Sequence, residues 1–587
     1  MFNIAGMTRT IRLLAAGLCS LLIFSSCSGP AASADNRFVA ISTREWTWRN
    51  AQLGNQDGKS VDAFLPREDP AAQTMRLQHW EDVLNDVQSI PRSELSPKRQ
   101  VDYDVYVPQL QVLIADQKSR TYEMPANSDS NFWSGFADDD TSVFRTSNDY
   151  RKWISQIGQI PRYFDEETAE MRAGLARGFT PPQVTLKGRD ASISDVIKAE
   201  PQDTEFYKPF KEMPGISAAE KSRLRARAIS VIRGTVQPAY AKLLAFWDKV
   251  YVPGCRKTLA ADDLPDGKAF YRSQIIEYTT LDMAPSDIHR IGVAEVEKLH
   301  RQMIDAMRET GFKGSFPEFL AYLRSDPRFY AKTPQELLDK AAWIAKRFDG
   351  KAATYFGMMP RARFAIVPVP PDIAPFYTAG RGGPGVYFLN TYDLPHRPLF
   401  NLTALTLHES APGHAWQMPL AAEDTSLPDF RRYTFISAYG EGWAVYCEWL
   451  GQEMGMYDTP YDRFGMLGYQ IWRAARLVVD TGIHSEGWTR AQAIAYMRDY
   501  TDLPDHEIET EVDRYITWPG QALSYYVGAM TIREERAKAE KALGPKFNLR
   551  AFHDTVLQLG SVPLPVLKAR IDEFIRDGGK GPYPDLE

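Results

Sequence analysis

The segment SDIHRIGVAEVEKLHRQMIDAM, from Ser286 to Met307, decides the fold class of this chain. Val296, Leu299, Met303 and Met307 recur every three or four residues, which places them on one face of an α-helix. Ser286 is of a residue type that caps helix N-termini. The segment therefore predicts a helix that buries a single stripe of apolar side chains.

Helical patterning extends over most of the chain, and it recurs at Arg223–Trp247 and at Pro563–Ile575. Strand signals are confined to RFAIVPVP (Arg363–Pro370) and GVYFLN (Gly385–Asn390), with the glycine-rich loop YTAGRGGP (Tyr377–Pro384) leading into the second. We expect a large, mainly α fold with a small β-sheet beside the candidate catalytic helix. That sheet either offers an edge strand to an extended peptide or is a plain hairpin that covers the core.

Composition and charge restrict the classes of function. The chain has 587 residues, 44% of them hydrophobic and 25% charged, as in soluble globular proteins. A formal charge of -6 leaves no basic surface for nucleic acid, so that class of partner is excluded. A weak boundary at Leu264–Gly267 divides a helical N-terminal part, residues 37–266, from a part that carries the chemistry, residues 267–587.

The N-terminus has the features of a bacterial secretory signal. Two arginines precede the apolar run Leu13–Phe24, which is too short to span a bilayer comfortably. The run ends in two serines and Cys27, which resembles a lipobox, although Phe24 stands where leucine is usual. We predict a signal peptide over residues 1–27, lipidation of Cys27 and a tether over residues 28–36, with ordinary signal cleavage further on as the alternative. The mature protein would be exported and lipid-anchored to a membrane of the cell envelope, on the periplasmic or outer-membrane side.

The stretch LTLHESAPGHAWQ (Leu405–Gln417) begins like the H-E-x-x-H zinc-peptidase motif, but its second histidine comes two residues late. On a regular helix, residues six apart differ by about 240° and by about 9 Å along the axis, so His408 and His414 could not share an ion. Pro412 and Gly413 change this expectation, because proline interrupts a helix and glycine tolerates unusual backbone angles. We predict a bulged or broken helix; the alternative is a capping glutamate between two unrelated histidines.

A catalytic zinc typically needs about three protein ligands, an open position for water and a carboxylate that accepts the proton of that water. His408 and His414 supply two ligands, and Glu409 supplies the base. In YGEGWAVYCEWL, Glu441 and Glu448 lie seven residues apart, on the same face of a helix. We predict that Glu441 is the third ligand and that Glu448 supports a ligand from behind, with the exchange of these roles as the main alternative. Zn²⁺ is inferred from the ligand types, which other divalent ions also accept.

Several other polar residues have two interpretations. Arg476, Asp480 and His484 follow one another at four-residue steps on one helical face. In one interpretation Arg476 or His484 meets a substrate carboxylate or carbonyl, or Asp480 orients a ligand histidine. In the other, the residues form an internal salt-bridged network. Arg381 in the glycine-rich loop either binds a substrate terminus or lies in a mobile surface loop. Three further histidines are left without a role: His289, His396 and His553.

Five ordered segments resemble the domain of unknown function 885 family of bacterial proteins, many of which are lipoproteins. Many members carry two consecutive histidines after Pro-Gly, whereas this chain has Ala415 as the second residue, so the resemblance points to His414 as the retained ligand. The segments are LHESAPGHAWQ (Leu407–Gln417), EGWAVYCEWL (Glu441–Leu450), ARLVVDTGIHSEGW (Ala475–Trp488), PGQALSYYVG (Pro519–Gly528) and FHDTVLQLGSVPLPVL (Phe552–Leu567).

That family is similar to the helical zinc peptidases that include thimet oligopeptidase and angiotensin-converting enzyme. Those enzymes carry a third-ligand glutamate some way past the second histidine, which suits Glu441 at 27 residues beyond His414. Dipeptidyl peptidase of the third type has a similarly lengthened His-Glu helix. The resemblance also implies that a tyrosine from the C-terminal part stabilises the oxyanion. Tyr525 is preferred over Tyr526, whose position is often lysine in the family, and the alternative role for Tyr525 is that of a core aromatic.

The residues and the resemblance together imply a zinc-dependent peptidase that acts on short peptides in the cell envelope. Glu409 would deprotonate a metal-activated water and pass the proton to the leaving amine. Two alternatives stay open at this point. One is an envelope lipoprotein that binds peptides without cleaving them, and the other is a hydrolase of a non-peptide amide such as a cell-wall fragment.

Overall fold

The computed structural model of the chain describes residues 33–54, 60–128, 130–136, 143–371, 374 and 377–583. The predicted signal peptide with Cys27, and residues 28–32 of the predicted tether, lie outside these residues. The protein is 69% helix and 3% strand, which confirms the mainly α fold with one small sheet. No helix within the described ranges is both long enough and apolar enough to cross a bilayer.

Helices dominate the chain on both sides of the sheet. The first fourteen in the described residues are α1 (Ala34–Leu53), α2 (Pro70–Gln88), α3 (Pro97–Ser119), α4 (Ser147–Ile157), α5 (Ile160–Arg177), α6 (Ala191–Lys198), α7 (Ala218–Val231), α8 (Gln237–Phe246), α9 (Val252–Gly254), α10 (Gly267–Thr279), α11 (Pro285–Glu309), α12 (Phe316–Ser325), α13 (Pro334–Asp349) and α14 (Ala352–Tyr355). After the sheet come α15 (Leu399–Glu409), α16 (His414–Glu423), α17 (Asp429–Arg432), α18 (Ser437–Leu450), α19 (Pro460–Ser485), α20 (Arg490–Tyr500), α21 (Asp505–Thr517), α22 (Ser524–Leu543), α23 (Leu549–Gln558) and α24 (Leu564–Arg576).

The predicted helix at Ser286–Met307 is α11, and its apolar stripe is buried against α19. The helix begins two residues earlier than expected, because Pro285 takes the first helical position and Ala284 is the N-cap in place of Ser286. Gly292 faces α19 so closely that a Cβ there would meet Leu477 at 2.8 Å. The two long helices therefore pack with their backbones near each other.

The sheet has three strands: β1 (Ala365–Pro368), β2 (Gly380–Gly383) and β3 (Val386–Leu389). They are ordered β1-β3-β2, with β1 parallel and β2 antiparallel to the central β3. The glycine-rich segment that we expected to be a loop is itself the edge strand β2. The reason is close packing on α15, since a Cβ at Gly382 would overlap the main chain of Glu409.

Two hydrophobic cores organise the described residues. One joins helices α1–α3 to the chain from Ala261 to Phe574 and includes the helices that carry the candidate site. The other lies between Val61 and Cys255. The larger core draws on both sides of the boundary expected near Gly267, and the division into two domains stays a prediction.

Candidate metal centre

The helix carrying the His-Glu pair breaks between the two histidines. α15 ends at Glu409, Ser410 leaves the helical region with φ -99° and ψ -116°, and α16 begins at His414. Pro412 and Gly413 lie in the intervening turn, as the interruption of the motif predicts. His414 therefore starts a new helix in a new direction.

Two contacts explain why this turn needs its particular residues. Gly413 lies against the preceding helix, and a Cβ on it would overlap the main-chain oxygen of His408. The indole Nε1 of Trp443 on α18 donates a hydrogen bond to the carbonyl of Pro412 at 2.8 Å. The turn is thus held between the end of α15 and the middle of α18.

The break brings His408, His414 and Glu441 together. The Nε2 atoms of His408 and His414 lie 3.5 and 3.3 Å from the same carboxylate oxygen, Oε2 of Glu441. One ligand atom from each residue falls within 4.8 Å of the other two. Both imidazoles are buried, at 3% and 6% exposure, whereas 15% of the Glu441 side chain is exposed. Two imidazole nitrogens and one carboxylate oxygen are a donor set that suits catalytic zinc and leaves a coordination position open.

Glu448 lies behind His408 and not beside both histidines. Its Oε1 accepts a hydrogen bond from Nδ1 of His408 at 2.7 Å, and its Oε2 accepts one from Gln470 of α19 at 3.0 Å. Arg473 lies 3.6 Å from the same carboxylate, which is completely buried. A proton on Nδ1 leaves the Nε2 lone pair directed at the cluster. This carboxylate–histidine arrangement orients metal ligands in many proteins.

Glu409 lies between the cluster and the edge of the sheet. Its Oε2 accepts the main-chain N–H of Gly382 at 2.6 Å, while its Oε1 lies 3.9 Å from Nε2 of His408. The main-chain N–H of Asn390 donates a hydrogen bond to the carbonyl of Ala379 at 3.0 Å. Because hydrogen-bonded and non-hydrogen-bonded pairs alternate along an antiparallel ladder, the N–H of Gly382 points away from β3. The unpaired edge of β2 therefore borders the candidate metal centre.

Three carboxylates and two imidazoles give this site a preference for positive charge. Burial alone would lower the pKa of His408, but the carboxylates of Glu409, Glu441 and Glu448 raise it to about 10. Burial likewise opposes ionisation of Glu441, yet His414 and His408 hold its pKa well below the usual range. The surrounding carboxylates thus stabilise a proton at this position, and a divalent cation would satisfy the same field.

Arg476 bonds to residues of helix α21 and not to residues of the candidate metal centre. Its Nε donates to the hydroxyl of Tyr515 at 3.0 Å, and it forms an ion pair with Glu511 at 2.9 Å. Its guanidinium also stacks 4.4 Å from the ring of Tyr525. These partners lie on α21 and α22, and both interpretations of Arg476 from sequence stay predictions.

Asp480 and His484 also bind neighbouring segments of the core. Asp480 accepts hydrogen bonds from the hydroxyl of Tyr271 at 2.6 Å and from the N–H of Gly520 at 3.1 Å. His484 accepts the N–H of Ala261 at its Nδ1 and is paired through Nε2 with the carbonyl of Tyr515. Both side chains are completely buried, and these partners tie α19 to its surroundings.

The two candidate tyrosines point to different places. The hydroxyl of Tyr526 donates to Glu295 on α11 at 2.7 Å. Tyr525 packs with Val445, which lies one turn beyond Glu441 on α18, and its hydroxyl lies 3.5 Å from Arg514. Tyr525 is therefore the one on the side of α18 that carries a candidate ligand.

Arg381 is exposed on β2, on the face opposite to Gly380 and Gly382, which pack toward α15. The histidines left without a role have other partners, since His289 bonds to Thr481, His396 to Asp393, and His553 to Tyr446 and Tyr355.

Gly382 and Gln470, which contact Glu409 and Glu448, were not predicted from the sequence. Gly382 lies in a run of glycines that is conspicuous in the sequence, but that run predicted a loop and not an edge strand beside the site. Gln470 carries no signal in the sequence, because its role depends on α19 packing against α18.

Comparisons with known proteins place the chain among bacterial proteins whose functions are not established. No curated protein matches it. The crystal structure of the "putative lipoprotein" from Colwellia psychrerythraea superimposes with a TM-score of 0.84 and 25% identity, covering 93% of this chain and 100% of that one. A second protein, from Shewanella oneidensis, shares the fold with a TM-score of 0.66 and 17% identity over 92% of this chain and 99% of its own. The family model "Bacterial protein of unknown function (DUF885)" matches residues 49–571, so the chain belongs to that family.

Proposed function

We propose that the protein is a zinc-dependent hydrolase, and that it is a peptidase acting on short peptides. The observation that carries this proposal is the convergence of His408, His414 and Glu441 within 4.8 Å, with the carboxylate of Glu409 beside them. The donors fit a zinc ion in type and number. Bound there, the ion would polarise a carbonyl and lower the pKa of water.

The chain's own residues would then do the following. Glu409 takes a proton from the attacking water and later passes it to the leaving amine. Glu448 keeps His408 in the tautomer whose Nε2 lone pair is free. Tyr525 donates a hydrogen bond to the oxygen on which negative charge develops.

The unpaired edge of β2 supports a peptide as the substrate. The N–H of Gly382 is bonded to Glu409 at 2.6 Å, but the main chain of Gly380 faces away from β3 in the same way. An extended chain could therefore align along the strand there by main-chain hydrogen bonds. Main-chain hydrogen bonds of the peptide would then position the scissile bond. Side chains of the peptide would be recognised elsewhere along the edge.

We also propose that the protein works in the cell envelope, held by a lipid on Cys27. The sequence before Cys27 and the likeness to the Colwellia "putative lipoprotein" support this location. A single acyl chain gives only marginal membrane binding, so a multiply acylated N-terminus is expected.

The decisive experiment replaces Glu409 with Gln. The variant should retain one zinc per chain, measured by elemental analysis, while hydrolysis of a mixed peptide library falls by about 10²–10⁴-fold. Glu534→Gln, an exposed position on α22, is the matched control and should keep full activity. Full activity in Glu409→Gln would refute the mechanism.

The same library separates the other functions. Metal-stripped and zinc-reconstituted protein are each incubated with the peptides and with cell-wall muropeptides. Cleavage of the muropeptides alone would change the substrate class to a cell-wall amide. Peptide binding without zinc-dependent cleavage of either substrate would leave a binding lipoprotein.

A further inference from the structure

A cavity of about 240 Å³ lies beside α15, outside the metal centre. It is large enough for about eight water molecules at the volume of liquid water. Leu405 on α15 forms part of its wall, one turn before Glu409, and Ala379 forms another part, immediately before β2. At about 3.3 Å per residue, the cavity begins roughly 10 Å along the sheet edge from Gly382.

The walls of the cavity are largely apolar, and one carboxylate among them stands out. Phe400, Tyr469 and Trp472 contribute aromatic rings, and Glu507 at the start of α21 contributes the carboxylate. The other charged side chains of the lining bond elsewhere: His396 to Asp393, Arg324 to the carbonyls of Asp502 and Leu503, Arg397 to the carbonyl of Tyr392, Asp502 to Asn401, and Asp505 to Arg498.

Glu507 has neither a hydrogen-bond partner nor an ion-pair partner among the residues that the structure describes. Burial and the charge of Glu511 raise its pKa to about 7, while Arg397 and Arg473 only partly offset this effect. Glu507 is partly buried, an unpaired carboxylate in such a position is costly, and a cation that hydrogen-bonds to it relieves the cost. The aromatic walls suit a cation carried on an alkyl stem.

We propose that this cavity binds the alkylammonium or guanidinium group of a substrate, through Glu507. In a peptide aligned along β2 the group is a lysine or arginine side chain about three residues from the bond that is cut. The assignment of the ligand to a peptide rests on the proposed function. The cavity itself and its unpaired carboxylate do not.

Equilibrium binding to zinc-loaded Glu409→Gln protein tests the proposal without cleavage. The probes are acetylated alanine hexapeptide amides with lysine placed at each position in turn, each matched by norleucine, which has a neutral side chain of similar length. At one position lysine should bind at least about tenfold more tightly than norleucine, as expected for a charge-assisted hydrogen bond. Glu507→Gln should remove that preference, and Glu509→Gln, exposed on the same helix, should retain it.

A second measurement needs no variant of Glu507. n-Butylamine should compete with the lysine peptide, and 1-butanol should not. Peptides with a free N-terminus and no lysine distinguish an α-amino group from a side chain as the source of the cation.

Equal binding of lysine and norleucine peptides, binding of neither, or a preference that survives Glu507→Gln would overturn the subsite. Cleavage by wild-type protein without a preference that depends on Glu507 would remove the subsite and keep the hydrolase. A preference that depends on Glu507, without cleavage by wild-type protein, would keep the subsite and remove the hydrolase.

Discussion

His408 and His484 are both buried imidazoles, but their surroundings drive their pKa values in opposite directions. The pKa of His408 is raised to about 10 by three carboxylates, against the effect of burial. Burial lowers the pKa of His484 to about 3, and the nearby Arg256 adds to this effect. His484 also meets the N–H of Ala261 with Nδ1, so a proton there would face another proton.

The difference shows what separates a binding site from a structural network. Both ring nitrogens of His484 are hydrogen-bonded to main-chain groups, and Asp480, one turn before it, accepts two hydrogen bonds from the core. At the candidate metal centre, only Nδ1 of His408 is hydrogen-bonded, to Glu448, and its Nε2 faces the cluster of candidate ligands. Asp480 and His484 thus join α19 to its neighbours, whereas His408, His414 and Glu441 leave ligand atoms facing one point.

The largest expected effect is on zinc affinity, which should depend on the histidines of the cluster and not on His484. His414→Ala should weaken zinc binding roughly a thousandfold, since each of three protein ligands accounts for about 4 kcal/mol of the binding free energy. His484→Gln should bind zinc as wild type does, because its partners lie outside the cluster. Competition with a chromogenic chelator measures both. Equal affinities for the two variants would remove the distinction between the regions.

A second contrast compares the adjacent tyrosines. Tyr525→Phe should lower kcat about a hundredfold with little change in KM, the loss typical of one oxyanion donor. Tyr526→Phe should leave kcat unchanged and cost stability instead, because its hydroxyl bonds to Glu295. Steady-state kinetics on one cleavable peptide decides between them. A larger loss of kcat in Tyr526→Phe would reverse the assignment.

Glu448 connects the two regions, since it lies against both His408 and α19. Glu448→Gln keeps the shape of the side chain but removes its charge, so zinc affinity should fall about 10–100-fold. Gln452→Glu, on the exposed end of the same stretch of chain, controls for a change of charge and should leave affinity unaltered. An unchanged affinity in Glu448→Gln would show that His408 needs no support from behind.

Local features of this fold were predictable from the sequence, and contacts between distant segments were not. The stripe Val296–Met307 indicated α11, and the Pro412–Gly413 pair indicated the break between the histidines. Both depend on backbone preferences over a few residues. The glycines of β2 were predicted to form a loop, but Gly382 is needed because α15 packs too closely on β2 to leave room for a side chain there.

The candidate site shows the same limit. His408, His414 and Glu441 could be chosen from residue type and spacing, and the structure brings these three side chains together. The partners of Arg476, Asp480 and His484 could not be chosen that way, since Tyr271, Ala261 and Gly520 belong to separate segments. The unpaired carboxylate of Glu507 could not be predicted from the sequence, because the lack of a partner is known only when the positions of all neighbouring residues are known.

The smallest expected effect concerns pH and the α19 network. Above about pH 8 His484 is neutral in both folded and unfolded chains, so it adds no pH dependence. As the pH falls toward 3, the unfolded chain takes up the proton first, because the folded pKa is about 3, and stability is lost. Between pH 8 and 5 this loss amounts to about 2 kcal/mol for one residue.

His484→Gln isolates that contribution, because glutamine does not titrate. The variant starts less stable than wild type, since a main-chain group of Ala261 or Tyr515 loses its partner. The gap in unfolding free energy should then narrow by about 2 kcal/mol from pH 8 to 5, as measured by urea titration. His553, whose pKa burial also lowers to about 3, remains in both proteins and cancels from the difference. A gap that stays constant would mean that His484 is reached by protons in the folded protein, and the contrast with His408 would then rest on geometry alone.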